Sequence, residues 1–175
     1  MKKPVLYYTH NKNTTKTATA VIKIWRYNIM KKELVGKVNG YLANVGVSYI
    51  KLHNLHWNVV GPEFKAVHEY LESLYDAFAD VLDEVAELLK MEGEMPLASL
   101  KSYLGAASIK ELEEKEYGVK ETLAIVLADM EEMKAQAEDI RSAADAEGNY
   151  GLVGMMEGHL GNYAKTIWFI KSMLK

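Results

Sequence analysis

The sequence predicts an all-α four-helix bundle, and three observations carry that expectation. Prolines stand only at Pro4, Pro62 and Pro96 in 175 residues, so long stretches meet no helix breaker. Apolar residues recur at three- and four-residue spacing through four of those stretches, the signature of helices with one buried face. One long excursion lies between the second stretch and the third, as in bundles built from two hairpins and a crossover.

The first helix begins after Met30-Lys31-Lys32-Glu33 and carries Leu34, Val38, Leu42, Val45, Tyr49, Leu52 and Trp57 on its inward face. Its end is expected near Val59, because Gly61-Pro62 punctuates the chain. A second helix opens about Glu63 and runs through Phe64, Val67, Leu71, Leu74, Phe78, Leu82, Val85 and Leu89, stopping at Gly93 with Pro96 beyond. Leu97 to Leu104 has room for two turns of an extra short helix, and Gly105 to Gly118 reads as loop. Val119 to Ala146 forms the third long helix, with Leu123, Val126, Met130, Met133, Ala137 and Ile140 inward; Gly148-Asn149 ends it. Leu152 to Leu174 makes the fourth.

A chain of this length with 49% hydrophobic residues holds one domain with a real core. It contains no cysteine, which excludes disulfides, thiolate zinc sites, iron–sulfur clusters and cysteine nucleophiles. Any metal must therefore sit on His, Asp and Glu. Nothing in the chain needs oxidation, so the reducing cytoplasm is the expected compartment, and the start shows no signal-peptide pattern.

The net charge of −3 is unevenly spread. Residues 1–29 hold Lys2, Lys3, Lys12, Lys16, Lys23 and Arg26 without an acid, a local charge of +6, which leaves −9 on residues 30–175. The first segment is read as a basic Thr- and Asn-rich arm without helical period, and Met30 is itself a candidate start. An acidic body attracts cations, whereas a basic arm can grip phosphates.

The second helix holds two pairs of metal-capable side chains one turn apart, His68 with Glu72 and Asp83 with Glu87. At about 100° per residue, the eleven residues from Glu72 to Asp83 complete three turns with only about 20° left over, so both pairs lie on one stripe. Rise separates them by roughly 16 Å, too far to share an ion. A second copy packed antiparallel across a two-fold axis removes the obstacle, because the His68–Glu72 end of one helix then meets the acidic end of the other. His56 can add a second nitrogen if Gly61-Pro62 folds the helix ends together. Two imidazoles with three carboxylates suit iron(II), manganese or zinc and disfavour copper(I). The competing structural reading is a solvated acidic face, since Asp76, Asp80, Glu84 and Glu92 surround these pairs.

The run from His56-Trp57 through Gly61, Phe64 and His68, continuing to Asp83-Glu84-Val85-Ala86-Glu87, resembles the signature of the Dps miniferritins, DNA-binding proteins from starved cells. The short helix near Leu97–Leu104 and Lys165-Thr166-Ile167-Trp168 extend the likeness, which covers about residues 30–175. The resemblance implies a ferritin-like bundle, twelve subunits in a hollow shell, and ferroxidase chemistry. By that resemblance, iron(II) is expected to be oxidised at two-fold interfaces, typically by hydrogen peroxide, and stored as ferric mineral. It implies as ligands His56, His68 and Glu72 of one subunit with Asp83 and Glu87 of its neighbour.

Some positions depart from that family. Glu72 stands where the family usually has Asp, and Asn149 and Gly154 stand where acids often line the iron pore, leaving Asp145 with Glu147. His53, His159 and His10 have no family role, and Trp57, next to a ligand, is read as interface packing ahead of a radical quencher. No Glu-x-x-His motif occurs, which argues against a di-iron site inside a single bundle. The rival function is DNA binding through residues 1–29, multiplied by assembly.

Overall fold

A computed structural model describes residues 30–175. The expectations for the basic arm concern residues 1–29 and lie outside the described residues. Helix α1 spans Lys32–Asn58 and passes directly into β1, Val59–Val60, where an extended Val59 ends the helix. Helix α2 spans Phe64–Met91, α3 Leu100–Ala106, β2 Tyr117–Gly118, α4 Val119–Glu147 and α5 Tyr150–Met173.

Local chemistry sets most of these boundaries. Gly61 adopts a φ of 114°, open to glycine, and Glu63 sits left-handed at 65°, so the chain reverses within three residues. Ser99 and Ser102 form a reciprocal capping box that starts α3. Gly148, left-handed at φ 71°, closes α4, and the Asn149 side chain accepts from the Leu152 backbone N–H, which starts α5 earlier than apolar spacing alone indicates.

Two antiparallel hairpins, α1 with α2 and α4 with α5, make the bundle, and α3 packs along α1 within the crossover. The expected loop 105–118 ends in a strand. Val59 pairs with Tyr117 and Val60 with Gly118, in parallel. That pairing puts the start of α4 beside the end of α1, so α4 runs in the same sense as α2. Sequence periodicity is blind to a two-residue bridge between segments nearly sixty residues apart.

The core holds the expected apolar set, with Val38, Leu42, Leu71, Leu89, Leu123, Met130, Met133 and Ile140 nearly inaccessible. Trp57 and Phe64 depart from expectation: they continue the apolar spacing of α1 and α2 but are 69% and 43% exposed in the single chain, although Leu55, His56 and Val59 beside them are buried. Gly46 marks a close approach, since a Cβ there would meet the Tyr103 ring of α3 at 2.6 Å.

A buried ion pair ties α1 to α4, with Lys51 Nζ 2.8 Å from Asp129 Oδ2 and both side chains nearly covered. Burial pushes the Asp129 carboxyl up, and Lys51 pulls it back only in part. Asp129→Ala leaves a buried ammonium unpaired and should cost about 3 kcal/mol. Replacing both partners by Met and Leu should cost less than the single change; chemical denaturation of the two variants checks the order.

Candidate metal centre

The turn at Gly61-Pro62-Glu63 brings the end of α1 against the start of α2, and His56 meets His68 there. Their rings stack with centroids 3.6 Å apart and planes 21° from parallel. Each imidazole bonds the other's backbone. His56 Nδ1 lies 2.9 Å from the His68 carbonyl oxygen, and His68 Nδ1 lies 2.8 Å from the His56 carbonyl oxygen. A carbonyl oxygen only accepts, so each Nδ1 carries its hydrogen and donates. Both Nε2 atoms are left with free lone pairs in the neutral rings. An imidazole held through Nδ1–H is the usual form of a metal-ligating histidine.

Aromatic packing holds this pair in place. Tyr75, two turns along α2 from His68, sets its ring edge-on to His56 at 5.2 Å and stacks on His53 at 3.8 Å. His53 donates from Nδ1 to the Tyr49 carbonyl at 2.9 Å, and its ring lies 5.3 Å from Trp57. Its role is packing. Burial pushes the Tyr75 phenol up, and the Glu72 and Asp76 carboxylates push the same way. Glu72 therefore lies beside Tyr75, on the rim of the histidine pair.

Asp83 and Glu87 are exposed farther along α2, and their side chains make no hydrogen bond or ion pair among the described residues. Among the described residues, no three His, Asp or Glu side chains of the single chain group as a metal site. The chain thus brings His56 against His68 with Glu72 beside them, and holds Asp83 and Glu87 apart from them, farther down the same helix.

Sequence reasoning assigns nothing to His159, yet it is buried and bonded at both ring nitrogens. Nδ1 lies 2.9 Å from the Tyr41 hydroxyl, and Nε2 lies 2.5 Å from Glu84 Oε1. Tyr163, one turn on along α5, bonds the same Tyr41 hydroxyl. The available signal was a His-x3-Tyr pair inside an apolar helix, which does not reveal partners on two other helices.

Comparison with known proteins agrees with this architecture. The family model for a ferritin-like domain matches residues 36–175. The DNA protection during starvation protein of Brevibacillus brevis is 33% identical over 138 residues, covering 79% of this chain and 92% of that protein. The crystal structure of antigen TpF1 from Treponema pallidum superposes with a TM-score of 0.81 at 33% identity, over 86% of this chain and 95% of that one. The crystal structure of Dps from Staphylococcus aureus gives 0.80 at 30% identity, over 83% and 97%. With its helix order, its crossover helix and these likenesses in agreement, the chain belongs to the Dps family of ferritin-like proteins.

Proposed function

We propose that this protein is a ferroxidase that oxidises Fe(II), with hydrogen peroxide as the oxidant, at sites completed between two copies, and stores the ferric product in a hollow dodecameric shell. The observation that carries the reading is the reciprocal lock of His56 and His68. It spends both Nδ1–H groups on backbone carbonyls and leaves two Nε2 donors for a cation. His56, His68 and Glu72 from one copy with Asp83 and Glu87 from the other are the assigned ligands. A crystal structure from Vibrio cholerae with a TM-score of 0.80 at 27% identity is described as a Dps protein in a superfamily of ferritin-like diiron-carboxylate proteins, and it supports the metal and its donor type.

Charge explains the direction of the reaction. Three carboxylates compensate a trication better than a dication, so they lower the cost of Fe(III) relative to Fe(II), while neutral imidazoles set position. Two Fe(II) ions give two electrons to one peroxide, which takes up two protons and leaves as two waters. Trp57, Phe64 and Val60 are exposed around the histidine end, apolar surface that a facing α2 of a second copy would cover. No helix of the described residues is long and apolar enough to cross a membrane, and the proposed location is the cytoplasm.

The double variant His56→Ala/His68→Ala should lose at least about 100-fold in Fe(II) oxidation, since even loss of groups outside the ligand set costs ten- to a hundredfold in metal sites. Its assembly, read by light scattering, should match the parent; a parental oxidation rate would refute the site. Sharing between copies has its own test. His56→Ala/His68→Ala and Asp83→Ala/Glu87→Ala are each inactive alone, but a mixed dimer holds one complete site. Statistical co-assembly should restore about a quarter of the parental rate. No restoration would show that the ligands do not pair across copies.

A second reading has its own support in the +6 charge of residues 1–29 and in relatives whose name is DNA protection during starvation protein. Full-length protein should shift duplex DNA in a gel at low salt and release it at physiological salt, and protein beginning at Met30 should not shift it. Equal shifts by both forms would remove the arm from that role.

A further inference from the structure

Away from the histidine pair, four side chains from three helices form one hydrogen-bonded chain in the middle of the bundle. The hydroxyls of Tyr163 and Tyr41 lie 2.5 Å apart, Tyr41 Oη lies 2.9 Å from His159 Nδ1, and His159 Nε2 lies 2.5 Å from Glu84 Oε1. Tyr41, Tyr163 and His159 are buried, whereas the Glu84 side chain is 46% exposed. A neutral imidazole orders every hydrogen. The carboxylate accepts, so Nε2 carries the ring hydrogen; Tyr41 then donates to Nδ1, and Tyr163 donates to Tyr41.

Burial raises both phenols far above their ordinary range, so neither ionises on its own. Removing an electron from such a phenol without its proton would leave an unpaired cation in an apolar core, a costly state. Tyr41 has a base in hydrogen-bond contact, and that base has a carboxylate behind it to balance the charge it would acquire. Glu84, His159 and Tyr163 all line one cavity of about 400 Å³ between α2 and α5, so the hydrogen-bonded series borders that space at both ends.

We propose that Tyr41 is a radical trap, oxidised by one electron with transfer of its proton to His159, with Tyr163 as the hydrogen-bond donor that steadies the phenoxyl oxygen. The oxidant is the hydroxyl radical that Fe(II) makes from peroxide, and for this source alone the inference rests on the iron reading above. The radical takes one electron from Tyr41 and becomes hydroxide. The Tyr41 O–H bond breaks, the proton moves to His159 Nδ1, and the imidazolium pairs with the Glu84 carboxylate. A further Fe(II) returns the electron and becomes Fe(III), and the proton goes back to Tyr41. Glu84 and His159 act as positioning and proton-holding groups, and the net result is one hydroxyl radical reduced to hydroxide for one iron oxidised.

The test is electron paramagnetic resonance on the full-length assembled protein after two treatments: Fe(II) with peroxide, and pulse radiolysis in azide solution, which makes a one-electron oxidant without iron. A tyrosyl signal should appear after both and be lost in Tyr41→Phe. In His159→Gln its yield should fall although both phenols remain, and in Tyr163→Phe its spectrum should shift as the hydrogen bond to the radical oxygen is lost. Circular dichroism and particle size check folding. Should Tyr41→Phe not fold, the other two variants decide, and parental yield and spectrum in both overturn the trap. So does a parental signal in folded Tyr41→Phe, or no tyrosyl signal in the parent protein. A signal after radiolysis but not after Fe(II) with peroxide keeps the trap and overturns the iron chemistry as its source.

Discussion

Two imidazoles, each donating a ring hydrogen to the backbone of the other, join the end of one helix to the beginning of the next. That exchange satisfies the His56 carbonyl, at the C-terminal end of α1 where intrahelical donors run short, and adds a donor to the His68 carbonyl in the second turn of α2. It also removes the choice between tautomers, because a carbonyl cannot donate. The fold of the hairpin and the chemical state of the donors are thus one arrangement. Any loss of the tight reversal at Gly61 and Glu63 would separate the rings and free the tautomers together.

The stripe on α2 explains why the single chain leaves its carboxylates solvated. Asp83 and Glu87 would repel one another in an apolar setting, and on the surface water screens them. Their attraction to a cation becomes strong only when a second surface excludes that water. Exposed Trp57 and Phe64 give the histidine end an apolar rim, so the proposed pairing of two copies would bury those rings and desolvate the acids together.

Inside the bundle, polar groups are few; the Ser48 and Thr122 hydroxyls are buried without a hydrogen-bond partner among the described residues, and two defined sets join the helices. Lys51 with Asp129 clamps α1 to α4, and the chain from Tyr163 to Glu84 joins α5, α1 and α2. α2 and α5 leave a cavity between them, lined in part by Glu84, His159 and Tyr163 of this series. Buried polar networks of this type cost stability unless complete, and specify one register when complete.

Helix spacing, breakers and caps act over a few residues, so the order, number and approximate ends of the four long helices and the short crossover helix follow from the amino-acid order alone. So do the two i, i+4 pairs on α2 and the impossibility of one helix bringing them together, because both follow from rise and turn. The short parallel bridge, the exposure of Trp57, the Lys51–Asp129 clamp and the partners of His159 do not follow. Each depends on where another helix lies, and local periodicity holds no information about residues dozens of positions away. The tautomers of His56 and His68 belong to the same class, since only the folded turn supplies the carbonyls that decide them.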